Sequence, residues 1–187
     1  MRLVLLLLII NSNPLFAKTA EAIFAGGCFW CMEADFEKLD GVLETISGYD
    51  GGTTPNPTYA SVASGKTNYT ESVRIIYDPR KLTYQQLVDY FWHHIDPTVK
   101  EAQFCDQGHH YRTAIFYLNE EQKNIALASK QRLQKKFPII YTEIIPSTQF
   151  YAAEEYHQNY YKNNPLRYKF YRYRCGRDQR INEVWKE

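Results

Sequence analysis

No internal repeat and no low-complexity linker divides the 187 residues of this chain, which argues for one domain. A strong charge of either sign is also missing. The 22 basic residues oppose 21 acidic ones for a net +1, too little for the broad basic footprint that marks nucleic-acid binding. The longest apolar run, Leu3 to Ile10, is under half of the roughly 20 residues a membrane span needs. Disorder is excluded by composition: 44% of residues are hydrophobic and 16% aromatic, enough for a single core.

What is present begins with that run. Arg2, the aliphatic stretch, a polar Asn11–Pro14 and Leu15-Phe16-Ala17 read as a secretory signal peptide cleaved after Ala17. Leu15 is larger than the small residue usual at its position, so export is better marked than the cut. Residues 1–17 are thus expected to be removed, and 18–187 to fold as a single catalytic domain, periplasmic or secreted. The four cysteines are Cys28, Cys31, Cys105 and Cys175. An exported chain can hold two structural disulfides, but a domain this long does not need staples, which frees at least one thiol for chemistry.

Residues 20–25 read as a short apolar strand, broken by Gly26-Gly27. A helix is expected over 28–39, with Phe29, Met32, Phe36 and Leu39 on one core face. Strands are expected over 42–48, 71–79, 112–118 and 138–145, and helices over 83–95 and from the Asn119 cap to about 136. The Gly/Pro/Ser/Thr-rich stretch after Gly48 reads as loop. The tyrosine-rich 150–187 has little periodicity and reads as an extended, irregular C-terminal arm. Short alternating units predict an α+β fold, a two-layer sandwich.

The stretch "AGGCFWCMEADF" (25–36) carries the chemistry. A cysteine that opens a helix faces unpaired backbone N–H groups and the positive end of the dipole, so the Cys28 thiol is expected to ionise easily. Cys31 lies one turn further in. Three uses are open: a thioredoxin-like Cys28/Cys31 dithiol, a metal site drawing on Cys105, His109 and His110, or one reactive thiolate rescued by another cysteine. The dithiol use leaves the long loop and the acids without a role. The metal use lacks a second pair of close ligands, so no metal is expected.

Four stretches decide among them. "GGCFWCMEADFEKLDGV", "SGYDGGTTPNPTYASVASGKTNYTESVRIIYDP", "FCDQGHHYRTAIFY" and "QFYAAEEYHQNYY" together resemble peptide methionine sulfoxide reductase, A type. The resemblance implies an α+β sandwich with a ferredoxin-like core and thiol-dependent reduction of methionine S-sulfoxide, free or in proteins. It makes Cys28 the nucleophile, Phe29 and Trp30 the walls of the methyl pocket, and Glu71, Tyr59 and Tyr111 the residues around the sulfoxide oxygen, with Asp106 in support. Cys28 becomes a sulfenic acid, a second thiol turns that into an intramolecular disulfide, and an external dithiol restores the enzyme. No cofactor is implied.

The chemistry needs these types. A sulfoxide sulfur becomes electrophilic when its oxygen is protonated, and a buried carboxylic acid can hold that proton at neutral pH. Tyrosine hydroxyls bind the S–O dipole without adding charge. Cys175 lies in "YRYRCGRD", which resembles the family's resolving segment, so a Cys28–Cys175 disulfide is expected. Cys31 is then a packed residue or a slow backup, and Cys105 has no assigned role. The arm's interleaved arginines and tyrosines read as a device that delivers Cys175, since a near-neutral chain argues against nucleic acid. The expected partners are methionine sulfoxide and an exported thioredoxin-like reductant, with the chain a monomer.

Overall fold

The computed structural model describes residues 19–186; the signal peptide expected over 1–17 lies outside them. The first half runs β1 (Ala20–Gly26), α1 (Phe29–Phe36), β2 (Val42–Asp50), α2 (Tyr59–Ala63), β3 (Thr70–Tyr77) and α3 (Tyr84–Trp92). Two short strands, β4 (Ala102–Gln103) and β5 (Asp106–Gln107), form a separate hairpin. Then come β6 (Thr113–Tyr117), α4 (Glu120–Leu133), β7 (Glu143–Pro146) and β8 (Tyr151–Ala152), and finally α5 (Tyr160–Asn163), α6 (Pro165–Arg174) and α7 (Arg177–Trp185).

The main sheet has the order β7-β6-β1-β3-β2-β8. Its pairs are antiparallel except β6 with β7, which is parallel. The inner strands β6-β1-β3-β2, with α1 and α3 as crossovers, have the order of a split βαβ unit, compatible with a ferredoxin-like core. Local chemistry starts the helices where expected. Thr83 and Gln86 form a reciprocal capping box on α3, and Asn119 accepts the Gln122 amide at 2.9 Å to open α4.

One face of β1 carries the larger core. Phe24 stacks on Phe36 of α1 at 5.2 Å and on Phe91 of α3 at 5.0 Å between ring centroids. Phe29, Met32 and Phe36 are all sealed in this core, and Leu39 packs at its margin, as the helical spacing requires. The other face of β1 is thinner, with Ile23, Ala25, Ala114 and Phe116 under Ile145 and Phe150. Rings the size of Phe24 typically cost about 3–5 kcal/mol when truncated to alanine, so this packing fixes the strand that leads into the site.

Two expectations are corrected. The strand begins at Glu143 rather than 138, because 138–142 runs outside the sheet. The arm is not irregular: α5, α6 and α7 occupy most of 160–185. Its helices escape an apolar-periodicity search because their contacts are made by Tyr and Arg. Tyr168 is the buried residue of α6. Arg172 binds Asp35 of α1 at 3.0 Å, and buried Arg177 donates to the Gly26 carbonyl at 3.1 Å, the His94 carbonyl at 2.8 Å and the Met32 sulfur at 2.9 Å.

Candidate active site

Gly26 and Gly27 set the turn from β1 into α1. A Cβ at Gly26 would lie 2.5 Å from the Met32 sulfur, and Gly27 has φ +82°. The chain therefore turns tightly and leaves Cys28 at the N-cap of α1, where its carbonyl accepts the Cys31 and Met32 amides. The Cys28 thiol does not cap the helix. The free Phe29 amide donates instead to Glu71 Oε2 at 3.0 Å.

Glu71 reaches this amide from β3, where it pairs across the ladder with Tyr49. It is 2% exposed. Burial pushes its pKa up to about 8; the Phe29 N–H offsets part of this, and Asp106 and Cys31 add to it. The carboxyl is therefore mainly protonated at neutral pH, and a proton is stored beside the thiol. Tyr59, at the start of α2, is raised to about 12 by burial and by the nearby Glu71 and Cys28, an effect that neighbouring Tyr111 partly offsets. Tyr111 lies in a short 3₁₀ turn over His109–Tyr111, and burial followed by Glu71, Tyr59, Asp106 and Cys28 raises it too. The fold thus gathers Cys28, Glu71, Tyr59, Tyr111 and Asp106 from β1–α1, β3, α2, the 3₁₀ turn and β5.

Aromatic rings line the other side. Phe29 stands 6.4 Å from Trp30 and from Tyr59. The Trp30 indole stacks on Tyr160 at 3.7 Å and donates to His157 Nδ1 at 3.1 Å. Because indole can only donate, His157 Nδ1 accepts and the ring proton sits on Nε2. Glu154 accepts from the Tyr59 amide and the Tyr49 hydroxyl, both at 2.8 Å, and holds α2 against the site. His157, Tyr160, Glu154 and Tyr171 are site residues that sequence reasoning left without roles. Three of them sit in or beside "AAEEYHQNYY", a stretch that carried family likeness but no chemistry of its own.

The cysteines depart from expectation twice. Cys28 was expected to ionise easily, and the structure places its pKa well above the ordinary thiol value. Burial is the largest cause, followed by its bond and charge contact with Cys31 and then by Glu71. Burial can shift a group by up to ~3–5 pKa units, whereas a helix end is typically worth ~0.3–1 kcal/mol. Here Glu71 has also taken the first free amide. Cys31 is lowered instead, by the Cys28 thiol and, against burial, by Arg177 and Arg172.

The second departure is the pairing. Cys175 is bonded to Cys105, not Cys28, and Cys28 and Cys31 are buried free thiols. The hairpin loop that ends at Cys105 meets the C-terminal end of α6, and the Cα atoms stand 4.9 Å apart, so this pair is the one the backbone brings together. The Asp106 side chain ties the two thiol pairs: it accepts from the Tyr171 hydroxyl, and Tyr171 reaches Cys28.

Comparison with known proteins identifies the family. The family model described as peptide methionine sulfoxide reductase matches residues 20–187. The chain is 48% identical to peptide methionine sulfoxide reductase MsrA of Halalkalibacterium halodurans, covering 88% of this chain and 96% of that protein. It is 47% identical to the MsrA/MsrB protein of Vibrio cholerae over 90% of this chain, and spans 46% of that longer relative. In structure it is similar to reduced Mxr1 of Saccharomyces cerevisiae, with a TM-score of 0.75 and 33% identity over 82% of this chain and 88% of that one. It is also similar to Mxr1 in complex with Trx2, with a TM-score of 0.56 and 26% identity over 81% and 89% of the two chains. A match from the first strand of the sheet to the end of the chain, with near-half identity in the relatives, makes this chain a member of the peptide methionine sulfoxide reductase family.

Proposed function

We propose that the chain reduces methionine S-sulfoxide, free or in proteins, with Cys28 as nucleophile and Glu71 as acid. The observation that carries this is the protonated, buried Glu71 beside Cys28, with Tyr59 and Tyr111 grouped around it. The two hydroxyls take the sulfoxide oxygen, and Phe29 and Trp30 take the S-methyl group. As the Cys28 sulfur attacks, Glu71 protonates the oxygen. The oxygen passes to Cys28 as sulfenic acid, the sulfoxide sulfur is reduced, and methionine leaves. Glu71 is reprotonated from the thiol proton or from water.

Cys31, one turn into α1 from Cys28 and likewise a buried free thiol, is the adjacent thiol for the next step. It displaces hydroxide from the sulfenic acid as water and forms a Cys28–Cys31 disulfide. Cys105 and Cys175 then take over the oxidation by exchange, and a dithiol reductant removes it at the surface. Residues 1–17 send the chain to the periplasm or outside the cell, so this reductant is an exported thioredoxin-like protein; support comes from the Trx2 complex of the similar Mxr1.

The test uses reduced protein, one equivalent of each sulfoxide epimer and peptide mapping. The expected result is one methionine per chain from the S epimer only, and a Cys28–Cys31 bond that gives way to Cys105–Cys175. No methionine from either epimer, with insulin reduced instead, would move the chain to a dithiol–disulfide oxidoreductase.

A further inference from the structure

Helix α6 enters that reaction only through the cysteine that caps its C-terminus, yet it also touches the reacting sulfur. Tyr168, Tyr171 and Cys175 lie at i, i+3 and i+7 on its inner side. Tyr168 packs with Cys31 and Ala34. The Tyr171 ring meets Trp30 edge-on at 5.9 Å, and its hydroxyl reaches the Cys28 thiol and donates to Asp106. Cys175, one turn later, is covalently joined to Cys105, the neighbour of Asp106. One ten-residue helix thus covers the nucleophile with one side chain and is fastened by the cysteine that caps its end. Beneath it Cys28 is 6% exposed.

Few contacts hold the helix besides these and the pairs of Arg172 with Asp35 and Asp178. Its outer side shows Leu166, Phe170 and Tyr173 at 82%, 66% and 83% exposure. Its ends are natural pivots: Asn164 is non-helical, and Gly176 has φ +66°. Beyond Gly176, α7 is anchored independently, by Arg177 on the Gly26 and His94 carbonyls and by Trp185 on the Ile95 carbonyl. A swing of α6 has to break the Arg172 pairs with Asp35 and Asp178, the Tyr171–Asp106 bond and the packing of Tyr168 on Cys31 and Ala34.

We propose that Tyr171 gates the Cys28 sulfur and that the Cys105–Cys175 disulfide is the latch of that gate. With the latch closed, α6 is held down and a sulfoxide cannot reach Cys28. Two thiols of a dithiol reductant cleave the bond, leaving Cys105 and Cys175 as thiols and the reductant as its disulfide. The helix then swings between Asn164 and Gly176 and uncovers the site. This rests on the reading of Cys28 as the reacting thiol. It means that an enzyme still carrying the oxidation of one turnover does not begin the next, and that its nucleophile is shielded from further oxidation meanwhile.

The experiment measures alkylation of Cys28 by iodoacetamide, read by peptide mass, in the full chain with the Cys105–Cys175 bond closed or reduced. Methionine release in the first turnover is followed alongside. Closing the bond is expected to slow both about tenfold or more, the scale of a local opening equilibrium. The Cys105→Ser/Cys175→Ser double variant should alkylate at the open rate under all conditions. Tyr171→Ala should alkylate fast with the bond still closed, a latch-independence that mere loosening of the arm does not predict. Equal Cys28 rates in the closed and reduced wild type, or a Tyr171→Ala variant still slowed by the closed bond, overturn the gate. Alkylation reads the gate even if Cys28→Ser retained sulfoxide reductase activity, a result that would sink the reading of the function instead.

Discussion

The two cysteine pairs of this chain are built to opposite specifications. Cys28 and Cys31 sit on one rigid strand–turn–helix unit, sealed at 6% and 1% exposure, and are kept as thiols. Cys105 and Cys175 join segments 70 residues apart, with Cys105 exposed, and are oxidised. Chemistry on a small sulfoxide needs a dry site where a carboxyl keeps its proton. Exchange with another protein needs a sulfur it can touch. On the proposed function no single pair meets both demands, and the difference in burial divides the work between the two.

The sharpest way to break the comparison is to remove one sulfur of each kind. Cys28→Ser should abolish methionine release entirely. Cys175→Ser should still release one equivalent from reduced protein and lose turnover only with a protein reductant. If both lose the first turnover equally, the pairs are not separate stations.

Next in size is Glu71→Gln, which keeps hydrogen bonding but has no proton to give. A loss of ~10²–10⁴-fold in the single-turnover rate is expected, with Cys28 still reactive towards iodoacetamide. The wild-type rate should also fall as pH rises through about 8, where Glu71 loses its proton, and Glu71→Gln should lack that limb.

A smaller effect concerns stability. The folded chain holds the Glu71 proton up to about 8 and the Glu33 proton up to about 7, whereas both leave the unfolded chain near 4.5. Between those values the folded state binds more protons, so these groups make stability fall as pH rises. Urea midpoints at pH 5 and pH 8 should differ less in Glu71→Gln and Glu33→Gln than in wild type. The smallest effect is at the pocket wall. His157→Ala frees the Trp30 indole from its acceptor, and one such bond is worth about 1 kcal/mol, so KM should rise several-fold while kcat changes little.

The sequence carried the inner pair far better than the outer one. Strand, Gly-Gly, Cys and the spacing of Phe29, Met32 and Phe36 specify a turn and a core face by local rules, and these are where they were expected. Tyr59, Glu71, Tyr111 and Asp106 were legible through long motifs, although α2, which carries Tyr59, was hidden in a loop-like composition and is marked only by its Thr58–Ser61 capping box. Tyr171 was one of 16 tyrosines, and nothing local sets it apart. Four cysteines allow three pairings, and sequence alone cannot choose among them. The charge state of Cys28 was misjudged because a helix end is visible in a sequence and depth of burial is not.

Met32 gives the design a last consequence. The chain has only two methionines, Met1 and Met32. Met32 is fully buried, and its sulfur lies against the Arg177 guanidinium. Export with removal of the leader would discard the other. An oxidant that damages the proteins around this enzyme would then find no accessible thioether on it, so the repairer stays outside the population it repairs.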